Sequence, residues 1–423
     1  MNISNESDRK ELLNFYITEV KDNFWPYWKN YIDEEYGGVF TCISNDGKEL
    51  INEDKYLWSQ GRYLWLLCRL YLLSDKINLD IDRKKLKSDC YKTVKFIVDN
   101  AVLDDFKIVF LTDRFGNHKT IENCDRLDAS IYADCFVILG LTGFIKTFKG
   151  NNKLTKLLIN IYDSVIQRIQ NYDFLSEPYP VPDGYRTHAV PMILINIELE
   201  LIEAFSARER ELNEKLQSNI ELHVNEIMNI FYNNDNTISE FIKGNGDRDY
   251  SMLGNHRNPG HTLECMWFIL QYCSLFKKSE LIDKINSVIK KNLDIGWDKK
   301  FGGLLRFTDA GGNKPDGEFH GSRYEQLILD TWDMKLWWPH SEALYALLYA
   351  YKFKKDDELS YWFDRMFEYT FDIFPKNSDK EWIQIRKRNG ETNDMVVALP
   401  VKDPFHIIRF FILSIELLLK TEE

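Results

Sequence analysis

Residues 334–353 read Met-Lys-Leu-Trp-Trp-Pro-His-Ser-Glu-Ala-Leu-Tyr-Ala-Leu-Leu-Tyr-Ala-Tyr-Lys-Phe. Leu336, Leu344, Leu347, Leu348 and Tyr351 return at three- and four-residue steps, which places them on one stripe of an α-helix. The same period predicts helices over 7–32, 53–74, 84–102, 128–149, 152–171, 187–206, 209–233, 258–276, 279–294, 357–372 and 403–420. In 128–149, for example, Ile131, Cys135, Ile138, Leu139 and Phe144 share a stripe. Only 21 Gly and 11 Pro occur in 423 residues, so long helices meet few breakers. No linker rich in Pro, Gly or Ser divides the twelve. The expected fold is all-α, with six antiparallel pairs closed into one ring, an (α/α)6 toroid, filling residues 1–423 as a single domain.

Short β-hairpins are expected at one end of that ring. Tyr36-Gly37-Gly38-Val39-Phe40 runs on to Asp46-Gly47-Lys48. Phe301-Gly302-Gly303-Leu304-Leu305 runs on to Asp309 and Gly311-Gly312-Asn313-Lys314, so the two form a weak internal repeat. Ile108–Asn117 and Trp382–Thr392 read as two more hairpins. The polar stretch 313–331 reads as a long loop, a lid that sets specificity.

Composition bounds the function. Apolar residues make up 44% and charged residues 28%, ordinary for a globular chain. Aromatics reach 14%, enough for a large core and for rings lining a sugar pocket. The net charge of -12, with both signs mixed along the chain, argues against nucleic acid as a partner. Seven Cys residues with no CxxC pair read as buried free thiols in a reducing cytosol, hence a cytoplasmic location. No signal peptide is visible, and no run of about 18 apolar residues suggests a membrane span. HExxH, Walker, GxGxxG and GxSxG motifs are missing, and the Cys and His spacing forms no zinc pattern, so no metal is expected.

Histidines carry the chemical signal. His188, His261, His340 and His406 each fall in a predicted first helical turn, one to three residues from a proline. In a ring of antiparallel pairs, the starts of the inner helices meet at one end. In Asn258-Pro259-Gly260-His261-Thr262-Leu263-Glu264, Asn258 suits the N-cap and Pro259 the first helical position. A helix N-terminus disfavours positive charge, so His261 is expected to be a neutral imidazole able to act as a general base. Glu264, three residues on, shares its face and could orient it or bind substrate. His188, in Tyr185–Met192, reads equally well as a cap or as a ligand contact. Trp337 and Trp338 precede a helix start, where at least one is a candidate stacking platform, and Glu342 could bind hydroxyls. His406, in Asp403-Pro404-Phe405-His406, is followed three residues later by Arg409. Arg62 lies within one helical face of Trp58 and Trp65, either packed on indole or aimed at a developing oxyanion.

At these residues the chain resembles the N-acylglucosamine 2-epimerase family, which includes cellobiose 2-epimerases and related aldose–ketose isomerases. The matching segments are Trp58-Ser-Gln-Gly-Arg62, Asn258-Pro-Gly-His261 with Glu264, Gly296-Trp297-Asp298 with Gly302-Gly303, Asp333–His340 with Glu342, and Phe405-His406 with Arg409. The resemblance implies an (α/α)6 barrel with a pocket at one end. It implies that His261 and His406 face opposite sides of an open-chain sugar, one removing the C2 proton and the other returning it. It implies that Arg62 stabilises the enediolate, while Glu264, His188 and the tryptophans hold the substrate or assist ring opening. His340, Glu342 and Arg409 join the expected substrate contacts. Thr262 stands where disaccharide epimerases tend to carry Asp after the histidine, which points toward a monosaccharide such as an N-acylhexosamine.

The rival readings are an aldose–ketose isomerase of mannose-like sugars and a glycoside hydrolase on the same ring. The hydrolase would need a carboxylate pair, and Glu264 with Glu342 is the obvious one. The proton chemistry calls for no cofactor. Nucleotide activation occurs in some relatives, and no local motif for a nucleotide is visible here. A small-molecule carbohydrate is the expected partner, with a homodimer a further expectation.

Overall fold

The structure, a computed structural model, describes residues 2–205 and 210–421. Helices α1 (Glu6–Thr18), α2 (Trp25–Trp28), α3 (Leu57–Leu73), α4 (Arg83–Asn100), α5 (Ile131–Phe148), α6 (Asn152–Gln170), α7 (Ala189–Phe205) and α8 (Arg210–Asn225) form the first part. They are followed by α9 (Met252–Asn255), α10 (Pro259–Phe276), α11 (Ile282–Gly296), α12 (Arg323–Thr331), α13 (Trp337–Phe353), α14 (Asp357–Ile373) and α15 (Phe405–Thr421). All twelve expected helices are present. The ends of two of them, at Ser206 and Glu209, lie outside the described residues.

Six helices make the inner wall. α3 packs on α5, α5 on α7, α7 on α10, α10 on α13, α13 on α15, and α15 back on α3, which closes the ring. Each inner helix carries an outer one: α4 on α3, α6 on α5, α8 on α7, α11 on α10, α14 on α13 and α1 on α15. This is the (α/α)6 barrel. The sequence distinguishes the two layers physically. Inner helices such as α5 and α13 are buried almost all round, so they are apolar on every face. Outer helices such as α6 and α11 bury one stripe, Leu158, Ile161, Tyr162 and Val165 in the first, and wet the other. α5 is long and apolar enough to cross a bilayer, contrary to the expectation that no such stretch exists. It is 78% buried inside the ring, where that apolarity is used.

The inner helices all start at the same end, and short β-pairings stitch that end together. The strands are β1 (Lys55–Tyr56), β2 (Leu111–Thr112), β3 (His118–Lys119), β4 (Tyr185–Thr187), β5 (Phe241–Lys243), β6 (Lys335–Leu336) and β7 (Ile385–Arg386). Antiparallel pairs β1–β2, β4–β5 and β6–β7 join the residues just before α3, α7 and α13 to the loop that leads to the next inner helix. Ser130–Ser176 and Arg257–Thr308 bridges do the same before α5 and α10, and the Lys402 N–H donates to the Thr41 carbonyl before α15.

The hairpin expectations are met in part. Ile108–Asn117 leads into a true hairpin, β2–β3. The Gly-Gly segments instead make single bridges, Ile32–Val39 and Trp297–Leu304, each closed by a tight turn. The repeat extends to buried charge. Lys55 pairs with Asp33, which Arg114 also holds, and Lys335 pairs with Asp298, which Arg388 also holds.

The stretch 313–331 is not all loop: α12 fills its second half, opened by a capping box between Ser322 and Glu325. Tyr324 and Ile328 of α12 anchor it on Phe241, Met252 and Phe307 as part of the pocket wall. The seven cysteines are free thiols, six of them buried.

Candidate active site

A pocket opens where the six inner helices begin. Its lining includes Trp58, Arg62, Tyr132, Glu240, His261, Glu264, Arg306, Tyr324, Trp337, Trp338, Asp403 and His406. His261 is in the first turn of α10, where the Asn258 side chain caps the helix by accepting from the His261 N–H at 3.2 Å. Gly260 is required beside it, because a Cβ there would sit 2.5 Å from the Trp338 ring. Trp338 then contacts both catalytic candidates. Its ring lies 5.3 Å from that of His261 and 5.6 Å from that of His406. Two histidines from α10 and α15, far apart in sequence, thus border one indole and one cavity.

Their surroundings differ. His261 Nδ1 is 2.9 Å from Glu240 Oε1. Burial lowers the imidazole pKa, but the charge and hydrogen bond of Glu240 outweigh burial, and the net shift is upward. The expectation that the helix N-terminus lowers the His261 pKa is therefore corrected in direction: the carboxylate outweighs the helix N-terminus. Glu240, likewise opposed by its own burial, is driven well below the ordinary carboxylate range by His261 and His188. His406 is 6% exposed, and burial pulls its pKa down to about 3 despite Asp403 and Glu264 nearby. Its Nδ1 lies 2.7 Å from Glu342 Oε1, and its Nε2 is 3.7 Å from Asp403 Oδ2. One histidine is therefore raised in basicity and the other lowered, and two titratable groups pushed apart in this way suit a proton-transfer site.

Arg62 reconciles both readings of its spacing. Its guanidinium stands 3.8 Å from the Phe136 ring centre and 4.7 Å from that of Trp58, and it also lines the pocket. Asp403 Oδ1, at 3.6 Å, is its carboxylate partner. Among the described residues, its Nε has no hydrogen-bond partner.

A family model described as N-acylglucosamine 2-epimerase (GlcNAc 2-epimerase) matches residues 108–409. The chain belongs to the N-acylglucosamine 2-epimerase family. It is an isomerase of the sugar epimerase and isomerase kind. The N-acylglucosamine 2-epimerase of Mus musculus is 29% identical over 404 residues, spanning 93% of this chain and 88% of its own. The fold of this family member is shared with the cellobiose 2-epimerase of Bacillus thermoamylovorans B4167, at a TM-score of 0.76 and 16% identity, over 96% of this chain and 99% of that one. A D-mannose isomerase aligns at a TM-score of 0.73 and 18% identity, over 97% of this chain and 98% of that one.

Not every expected residue of this epimerase-family chain reaches the cavity. Trp58, Trp337, Trp338, Arg62, Glu264, His261 and His406 do. His188, His340, Glu342 and Arg409 were expected to touch sugar and instead stand behind the wall. His188 is fully buried, with Nδ1 3.8 Å from Glu240 Oε2, at the back of the carboxylate that holds His261. His340 is fully buried between the Leu336 carbonyl, 2.6 Å from Nδ1, and the Leu304 N–H, 2.9 Å from Nε2. Arg409 bonds to Glu264 and donates to Glu342 Oε1 at 2.7 Å. Glu264, Glu342 and His406 converge closely enough for a metal ion, but the Arg409 guanidinium supplies a cation there, bonded to both carboxylates.

Glu240, Arg306, Asp403 and Tyr324 were not singled out from the sequence. Glu240 had only a weak signal: it is a carboxylate flanked by Ile238, Phe241 and Ile242, where a buried charge needs a partner.

Proposed function

We propose that this isomerase epimerises C2 of an N-acylhexosamine or related monosaccharide through an enediolate. In one direction His406 Nε2, neutral at working pH, removes the C2 proton of the open-chain aldehyde. The electron pair moves onto the carbonyl oxygen, where the Arg62 guanidinium stabilises the charge. His261 in its protonated form, which Glu240 favours, delivers a proton to the opposite face of C2. The return reaction runs the same steps backward, with the roles exchanged. Glu264, tied to Arg409, meets substrate hydroxyls, and Trp58, Trp337 and Trp338 supply apolar faces for the carbon chain. Glu342 and Arg409 position His406 and Glu264, and His188 supports Glu240.

The observation that carries this reading is the pair of imidazoles on one indole, one raised and one lowered in basicity. A hydrolase reading has less support, since Arg409 lies between Glu264 and Glu342 and ties up the carboxylate pair.

Turnover in heavy water tests the proposal. Epimerisation places deuterium on C2 of the aldose product, whereas aldose–ketose isomerisation of a mannose-like sugar places it on C1 of the ketose product. We expect C2 label with N-acetylmannosamine. His261→Ala and His406→Ala should each slow epimerisation by about a thousandfold or more while the fold is kept. Near-normal turnover in either variant removes that histidine from the mechanism.

A further inference from the structure

Arg306 is a buried cation that the proton chemistry leaves unused. It is 5% exposed and lines the pocket. Its Nη1 donates to Thr331 Oγ1 at 2.9 Å and its Nη2 to the Tyr179 hydroxyl at 3.1 Å. Among the described residues, no carboxylate pairs with it. The pocket's other guanidinium group, Arg62, has Asp403, and Arg409 behind the wall has Glu264 and Glu342. A buried guanidinium has five N–H donors and no acceptor, and leaving it without an acceptor of charge-bearing strength is costly. Arg306 is also near enough to His261 to act on it electrostatically, and both line the same pocket.

Aromatic rings also face Arg306. Its guanidinium stands 4.9 Å from the Phe307 ring centre and 5.8 Å from that of Tyr179. Tyr324 joins this group, with ring centres 4.7 Å from Phe241 and 6.4 Å from Tyr179. A phosphate or carboxylate would have to shed water against these rings. A sugar hydroxyl is a weaker acceptor and would leave the apolar wall uncovered. A group with a strong acceptor oxygen and a methyl side by side fits both features.

We propose that Arg306, with Tyr179 and the Phe241–Phe307–Tyr324 wall, forms the subsite for the N-acyl group on C2. The amide oxygen accepts from the guanidinium and the acyl methyl covers the rings. Arg306 thereby selects N-acylhexosamines over unsubstituted hexoses. The assignment rests on the C2-epimerase reading above and adds its specificity determinant. It also disfavours a free C2 amine, whose ammonium would face the guanidinium.

The test compares N-acetylmannosamine, mannosamine and mannose on the wild-type chain, Arg306→Lys and Arg306→Met. In the wild type we expect N-acetylmannosamine to be preferred and mannosamine to be rejected. In both variants the ratio of kcat/KM for N-acetylmannosamine over mannose should fall about tenfold or more, chiefly through KM. Circular dichroism and Tm report whether each variant is folded. A ratio within about threefold of wild type in a folded variant overturns the assignment while leaving the epimerase reading intact. Wild-type turnover of mannose with none of N-acetylmannosamine overturns both.

Discussion

At the scale of single residues, the site depends on which carboxylate faces which imidazole. His261 and His406 occupy matching places, each in the first turn of an inner helix. Helix position alone would make both poor proton holders. Glu240 distinguishes them, and it immediately precedes β5, a strand in the segment between α8 and α10. This explains why the histidines were legible in the sequence while their protonation was not. Pro-flanked helix starts are a local pattern, but the partner of His261 is 21 residues away, outside its helix. The consequence is measurable. Removing the charge with Glu240→Gln takes away the interaction that raises His261, so its pKa falls. In the direction where His261 must donate, the basic limb of the kcat/KM profile should then move to lower pH. In the wild type that limb should lie above the ordinary imidazole value of 6.5. A limb that does not move in Glu240→Gln assigns the ionisation to another group.

At the scale of elements, the periodic pattern was enough to find every inner and outer helix, because two full turns of apolar repeat are a strong local signal. The contacts between helices were less legible. α3 and α5 cross with their backbones almost touching, at Gly61 and Gly140. A Cβ on Gly61 would sit 2.2 Å from the Phe136 carbonyl oxygen, and one on Gly140 would sit 2.4 Å from the Gly61 carbonyl. A glycine in mid-helix reads in sequence only as a lowered propensity, not as a crossing point. The close approach is functional as well, because it brings the Phe136 ring under the Arg62 guanidinium. α12 was missed for a related reason. Its nine residues are too few for periodicity to stand out, although Ser322 and Glu325 spelled its cap. Since backbone atoms cannot yield as a flexible side chain does, Gly61→Ala should destabilise the chain by about 3 kcal/mol and lower kcat by displacing Arg62. Urea unfolding and steady-state kinetics check the two effects. Unchanged unfolding with unchanged kcat would mean the crossing relaxes freely and does not position Arg62.

At the scale of the whole molecule, the internal repeat explains what His340 does and predicts how the protein responds to acid. Gln60 is the fourth residue of α3, and its side chain accepts from the Val39 N–H at 2.8 Å just past Gly37-Gly38. His340 is the fourth residue of α13, and its Nε2 accepts from the Leu304 N–H just past Gly302-Gly303. The two side chains do one job, fastening a Gly-Gly loop to the mouth of the ring, and only one of them titrates. Because Nε2 accepts, His340 must carry its proton on Nδ1, and a second proton would oppose the Leu304 N–H. Burial accordingly holds His340 at about 3, His406 at about 3 and His256 at about 4. All three are neutral in the folded chain over a range where the unfolded chain protonates them. Between about pH 6.5 and 4 the unfolded state therefore binds more protons, and stability falls as pH falls, by about 1.4 kcal/mol per pH unit for each such histidine. His261 has the opposite sign: its contribution is fully present below about pH 6.5 and is lost as pH rises through its raised folded value, so it adds no slope in this acid window. His340→Gln copies the residue that the repeat already uses. It should keep the ring closed, cost little at pH 7.5, and remove about one histidine's share of the acid slope when Tm or urea midpoints are followed from pH 7 to 4. An acid slope equal to wild type in that variant would show that His340 is protonated in the folded state, and that the loop is held by something other than its neutral ring.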